Sequence, residues 1–207
     1  MKHHSELINY LIEKFELKSY LEIGTFNRSH NFDLIKVAAK TCVDPDQAAE
    51  ADHACTSDEF FAANKSAWHV GEDKKFDLIF IDGLHHADQV KKDFENALDC
   101  LTRRGFIVLH DCNPPTEATT CVPRGSQREW CGDVYKFACR LQEYNIIDFV
   151  TLDFDYGCAV VWRDCMCEGS PVNEDITWEY FQKNKKLLRL TPVKEFIGLC
   201  EVGLIAG

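Results

Sequence analysis

The sequence has no surplus of basic residues, no C-x-x-C pair, no long uninterrupted apolar run at its start and no G-x-G-x-x-G. Each gap removes a class of protein. Lys and Arg number 23 against 34 Asp and Glu, a formal net charge of −11. The chain therefore lacks the basic stripe that holds a phosphate backbone, and no nucleic-acid partner is expected. The opening segment, "MKHHSELINYLIEKFELKSY", interrupts its apolar residues with Glu, Asn and Lys. That excludes a signal-peptide core and a spanning helix of about 20 apolar residues, so a cytoplasmic location with no membrane partner is expected. The 11 cysteines are odd in number and scattered, which argues against a disulfide framework or zinc ribbon and for reduced thiols in the core. Phe26 and Ser29 stand where a dinucleotide fingerprint needs glycine, leaving a pyrophosphate no close approach, so a nicotinamide cofactor is disfavoured. Without a G-x-S-x-G elbow, a serine hydrolase is disfavoured too.

What is there is enough for a core. At 207 residues and 45% hydrophobic, with neither repeat nor domain-sized linker, the chain reads as one domain over 1–207. Helical and strand patterns alternate, the mark of an α/β sheet with parallel strands. Ser5 is expected to cap a first helix on Leu7, Leu11 and Phe15. "SYLEIG" reads as a strand, "HNFDLIKVAAK" as a helix, "TCVDPD" as a strand, "HACTS" as a short strand and "DEFFAANKSAWH" as a helix. "FDLIFID" is apolar enough for a central strand covered on both faces. Val90, Phe94, Ala97, Leu98 and Leu101 share one helix face, with Gly105 ending that helix before the strand "FIVLH". Residues 112–130 hold three prolines and read as a lid loop. A helix on Val134, Phe137, Ala138 and Leu141 follows, then a hairpin in "DFVTLDFDYGCAVVWR". Residues 170–207 read as a C-terminal helical extension with Thr177 as a cap.

Two greasy strands run into acids: Asp82 ends "FDLIFID" and Asp111 follows "FIVLH". In an open α/β sheet the ligand lies beyond the carboxyl ends of the strands, so such acids point into a site. Glu22 and Gly24 close the first strand. Asp44, 20 residues after Gly24, suits the two hydroxyls of a ribose. A nucleoside cofactor is the expectation.

The stretches "YLEIGTFNRSHNF", "CVDPD", "TSDEFF", "FDLIFIDGLHHADQV", "GFIVLHDCNPPTE", "WCGDVYK" and "DFDYGC" together resemble class I S-adenosylmethionine-dependent methyltransferases. More narrowly, they resemble the small stand-alone methyltransferases of the methyltransferase 24 family. The likeness runs from about Tyr20 to Trp162. It implies a Rossmann-like three-layer sandwich, an α/β fold whose seven-stranded, mostly parallel sheet ends in a C-terminal antiparallel hairpin. It implies S-adenosyl-L-methionine as cofactor, with Glu22 and Gly24 at its methionine part, Thr25 also against the cofactor, Asp44 at the ribose, Ser57 and Asp58 at the adenine, and Asp82 beside the sulfonium. The resemblance departs at Arg28, which stands where a second glycine is expected. A bulky cation there would narrow the cofactor pocket or repel the sulfonium.

For such a chain the expected reaction is O-methylation of a small hydroxylated acceptor such as a sugar or glycoside. His85 occupies the place of a basic lysine in catechol-type relatives, and an imidazole with an ordinary pKa of about 6.5 suits a general base. Asp82 and the neighbouring His86 complete the catalytic candidates. In the metal-dependent branch of the fold, acids at these strand ends bind Mg2+. Here Asp82 and Asp111 would serve, with Asn113 or His110 in place of the hard third ligand that Cys112 cannot supply. The alternative, motivated by Arg28, is a non-catalytic nucleoside-binding or interaction protein that keeps the fold. Oligomeric state stays open, a homodimer being compatible with the sequence.

Overall fold

A computed structural model describes residues 1–68, 75–164 and 168–205. Seven strands are present: β1 (Ser19–Ile23), β2 (Ala39–Val43), β3 (Phe76–Ile81), β4 (Leu101–Leu109), β5 (Ile147–Leu152), β6 (Cys158–Arg163) and β7 (Leu190–Thr191). They form one sheet in the order β2-β1-β3-β4-β6-β5-β7. Neighbouring strands pair in parallel, except that β6 runs against both β4 and β5. This is the Rossmann-like sandwich with a closing antiparallel hairpin.

Alternation along the strands serves two layers at once. Leu21, Ile79, Ile107 and Val161 face a core shared with α2 (Ser57–Trp68), α3 (Ala87–Cys100) and α4 (Val134–Ala138). Tyr20, Leu78, Phe80 and Val160 face the opposite core, closed by α1 (His4–Lys14) and α6 (Val193–Glu201). On α3 the expected stripe is buried: Val90, Phe94, Ala97 and Leu98. Burying such side chains stabilises by about 1.5–3 kcal/mol for each large one. The nine cysteines among the described residues are all unpaired, and seven are buried. Among the described residues, no helix is long and apolar enough to cross a membrane.

Several local expectations fail, each for a visible reason. No α-helix covers residues 30–40; two single 3₁₀ turns, Arg28–His30 and Phe32–Leu34, replace it. Asn31 breaks the run because its side chain donates to buried Glu22, and Lys40 Nζ takes the carbonyls of Phe32 and Ile35 that a helix would use. "HACTS" makes only a single bridge, His53 to Val43. There the Asp52 carboxylate accepts the Cys42 N–H in place of a strand backbone. The seventh strand is instead β7, at the opposite edge, so the C-terminal region is not purely helical. Helix α1 is capped by His3, whose ring accepts the Ser5 N–H, rather than by Ser5. Leu101 and Gly105 belong to β4, and α3 ends at Cys100. Thr177 does cap the helix α5 (Trp178–Lys183), accepting the Tyr180 N–H.

Candidate functional site

The ladders of β1, β3 and β4 continue one residue past the strands. Gly24 donates to Val43 O, Asp82 to Ile23 O and His110 to Ile81 O. This stagger sets the loops after three neighbouring strands side by side at the carboxyl edge of the sheet. Gly24 is required at its position: φ is +86°, and a Cβ there would lie 2.2 Å from the Asp82 carbonyl oxygen.

A cavity of about 840 Å³ opens at this edge, lined by Glu22, Gly24, Thr25, Asp44, Asp82 and His85 among others. Its size is that of a small-molecule site. Glu22 is buried, and its Oε2 accepts from Tyr20 Oη and Asn31 Nδ2, both at 2.6 Å. Its Oε1 and the Oδ1 of Asn31 have no hydrogen-bond partner. Two orphaned polar atoms on one wall mark a place for a polar ligand. Burial, against the hydrogen bonds from Tyr20 and Asn31, raises the Glu22 pKa to about 7. Asp44 Oδ2 accepts the N–H groups of Thr25 and Phe26 at 2.9 and 2.8 Å, and Oδ1 accepts that of Asp46. The carboxylate thereby fastens the first loop to the second while still facing the cavity.

At the other end of the cavity His85 lies between two acids. Its Nε2 is 3.3 Å from Asp82 Oδ1, and its Nδ1 is 3.0 Å from Asp111 Oδ2. Nδ1 is also 3.0 Å from the Trp130 carbonyl. Both nitrogens face acceptors, an arrangement that favours the imidazolium. Burial opposes that charge, but Asp111 and Asp82 outweigh it and raise the pKa to about 10, above the ordinary value expected for this histidine. His110 Nδ1, 3.1 Å from Asp82 Oδ1, is likewise held charged. Burial pushes the pKa of Asp82 upward, but the two imidazoles, His110 foremost, hold it well below the usual carboxylate range. Asp111 sits behind His85 in the left-handed region, with φ of 60°.

His85 is clamped by the segment after the proline-rich loop. Trp130 stacks on its ring at 4.8 Å, and the Asp133 N–H donates to its carbonyl. Gly132, with φ of +58°, lets the backbone press so close that a Cβ would fall 1.8 Å from the His85 carbonyl oxygen. Asp133 Oδ1 accepts the Ala87 N–H and so caps α3, whose own cap residue His86 makes no side-chain bond.

Other expected residues lie elsewhere. Ser57 and Asp58 are not at the cavity; Gln89 Nε2 donates to both, joining α2 to α3. His86 lines a separate cleft with Lys91 and Lys92. The Asn113 amide donates to Asp153 and accepts from Lys185. Asp82, His85 and Asp111 each offer a donor atom within 4.8 Å of the others. With His85 favoured as an imidazolium, the two carboxylates are the donors a divalent cation would use there. Arg28 does not enter the cavity. Its guanidinium donates to Asp52 at 2.9 Å and lies over the Phe32 ring, which removes the obstruction expected of it. Nothing in the sequence distinguishes Asn31 from the other amides of the chain.

Sheet order, reversed β6 and a cleft at the ends of β1, β2 and β3 define the class I S-adenosylmethionine-dependent methyltransferase fold. A family model described as a methyltransferase domain matches residues 26–112. Among solved structures, an O-methyltransferase from Bacillus cereus in complex with SAH is similar at 13% identity and a TM-score of 0.56. The alignment covers 78% of this chain and 80% of that one. The SAH-bound methyltransferase PaMTH1 of Podospora anserina is similar at 18% identity and TM-score 0.53, with 78% of each chain covered. The O-methyltransferase TomG of Streptomyces achromogenes, in complex with SAM and involved in tomaymycin synthesis, gives 14% identity and TM-score 0.52 over 77% of this chain and 79% of that one. No curated protein sequence matches the chain.

Proposed function

We propose that this protein is a methyltransferase that moves the methyl group of S-adenosylmethionine to a hydroxyl of a small molecule, such as a sugar, glycoside or other metabolite. The observation that carries the reading is His85, fixed between Asp82 and Asp111 at one end of a cavity whose other wall bears Glu22, Gly24 and Asp44. The cofactor supplies an electrophilic methyl on a sulfonium, and the protein has to hold acceptor oxygen and methyl carbon in line. In this reading Glu22 Oε1 and Asn31 Oδ1 take the ammonium of the methionine part. Thr25 and Gly24 let the backbone approach it, and Asp44 takes the ribose hydroxyls with the carboxylate lone pairs left over from its backbone bonds. Asp82 offsets the positive sulfonium.

His85 manages the proton of the acceptor hydroxyl. Its raised pKa favours the imidazolium, so to take up that proton it first passes one of its own to the Asp111 or Asp82 carboxylate beside it. The stacked Trp130 and the backbone clamp hold the ring in one orientation throughout. A divalent ion such as Mg2+, held by the Asp82 and Asp111 carboxylates, would lower the pKa of the acceptor hydroxyl. Arg124 and Trp130, from the loop and its end, reach the same cavity and fall to the acceptor side. Similarity to an SAH complex and a SAM complex supports the choice of cofactor. Calorimetry with S-adenosylmethionine and S-adenosylhomocysteine tests the reading, followed by transfer of labelled methyl to a panel of hydroxylated acceptors. Heat from both nucleosides and label in an acceptor is the expected result; no binding heat from either refutes it.

A further inference from the structure

Asp155 sits at the left-handed turn between β5 and β6, with φ of 49°, and three imidazoles converge on it. His4, the first residue of α1, donates both its backbone N–H and its Nδ1 to Asp155 Oδ2, each at 2.8 Å. The ring of His3 lies against that of His4 at 3.9 Å between centroids, and its Nδ1 accepts the Ser5 N–H. From the other side His110 points its Nε2 at Asp155 Oδ1 across 3.7 Å, too far for a hydrogen bond. That nitrogen is buried and has no hydrogen-bond partner. His3, His4 and Asp155 each offer a donor atom within 4.8 Å of the others, and so do His110, Asp155 and Cys158.

Capping of α1 accounts for the bond from the His4 N–H to Asp155. It does not account for a second histidine beside the first, nor for the buried His110 Nε2 held 3.7 Å from the same carboxylate. Two or three imidazoles around one carboxylate are the donors of a first-row transition ion; an all-oxygen octahedron, the preference of Mg2+, is not available here.

We propose that His3, His4 and Asp155 form a second cation site that takes a divalent transition ion of the zinc and cobalt class. It is distinct from the acids Asp82 and Asp111. The ion displaces the proton that His4 Nδ1 donates to Asp155, and the released proton passes to solvent or to the other ring nitrogen. His3 and His4 line the same cavity as Asp82 and His85, so the ion faces the acceptor compartment. His110 spans the two centres, with Nδ1 at Asp82 and Nε2 toward Asp155. The inference does not depend on methyl transfer.

The test uses full-length protein without an affinity tag, stripped with chelator and titrated with Co2+ in visible absorption and with Zn2+ in calorimetry. The double variant Asp82→Asn/Asp111→Asn is expected to retain one Co2+ per chain. Losing even an outer partner of a metal ligand costs roughly 10- to 100-fold in affinity. His4→Gln and Asp155→Asn should therefore weaken Co2+ by at least that in the same double-variant background. His3→Asn, which keeps a capping acceptor for α1, should do the same while leaving far-UV circular dichroism unchanged. If Asp155→Asn does not fold, the two histidine variants decide. The proposal is overturned if the double variant takes up no Co2+, or if His3→Asn and His4→Gln bind it as tightly as the parent.

Discussion

Replacing Glu22 with Gln is expected to make the protein more stable at pH 8 and a poorer binder of its cofactor. Buried Glu22 has a pKa raised to about 7 from an ordinary 4.5, chiefly by desolvation. Between those two values the folded chain holds a proton that the unfolded chain has released. Stability therefore falls as pH rises through that window and is flat, for this group, on either side. A gap of that width is worth about 3 kcal/mol at order of magnitude. Gln carries no charge to desolvate. Its carbonyl can accept from Tyr20 and Asn31 as Oε2 does, while its NH2 stands in for the protonated Oε1. Urea unfolding of both proteins at pH 4.5 and pH 8 measures the difference. The two should be nearly equal at the lower pH, with the variant ahead by up to about 3 kcal/mol at the higher. For a chain of this size that is roughly 2–4 °C in Tm for each kcal/mol. The same substitution removes the carboxylate proposed for the methionine ammonium. A hydrogen bond to a charged group is worth about 1.5–3 kcal/mol, so affinity for S-adenosylmethionine should drop roughly tenfold or more. A stability difference that stays constant from pH 4.5 to pH 8 would refute the argument, because Glu22 would then not be titrating in the fold.

Asp44→Ala should weaken S-adenosylmethionine binding at least about tenfold, since it removes the carboxylate proposed for the ribose and frees the Thr25 and Phe26 N–H groups; calorimetry with an unchanged Kd would rule out that role. His85→Ala should chiefly lower kcat and leave cofactor Kd nearly unchanged, and an equal loss in both would mean that His85 organises the cofactor pocket rather than the acceptor. Gly24→Ala forces a Cβ to 2.2 Å from the Asp82 carbonyl at a positive φ. A loss of more than about 2 kcal/mol in urea unfolding is expected, and a parental midpoint would contradict the close approach.

The sequence was most legible where one local signal decides the outcome. The apolar run at 76–81 needed cover on both faces, so it had to be a central strand, and Asp82 after it had to stand at the carboxyl edge. The 3.6-residue stripe from Val90 fixed the face of α3, although its end at Cys100 lay five residues before the glycine expected to stop it. The helix expected over 30–40 failed because long-range bonds from Asn31 and Lys40 took the backbone out of helical pairing.

Residue types and chain order alone carried the α/β alternation, the hairpin reversal and the identity of the acids that end strands, because these depend on periodicities of two and 3.6 and on where a buried run stops. Only tertiary structure decided the state and company of those acids. His85 gained a carboxylate at each ring nitrogen because β3 and β4 lie side by side and bring Asp82 and Asp111 to it. Arg28 left the cleft because Asp52, 24 residues away, offered it a partner. His3 and His4 met Asp155 across more than 150 residues of chain. Coulomb energy and desolvation depend on distance in space, which no local pattern of residues encodes.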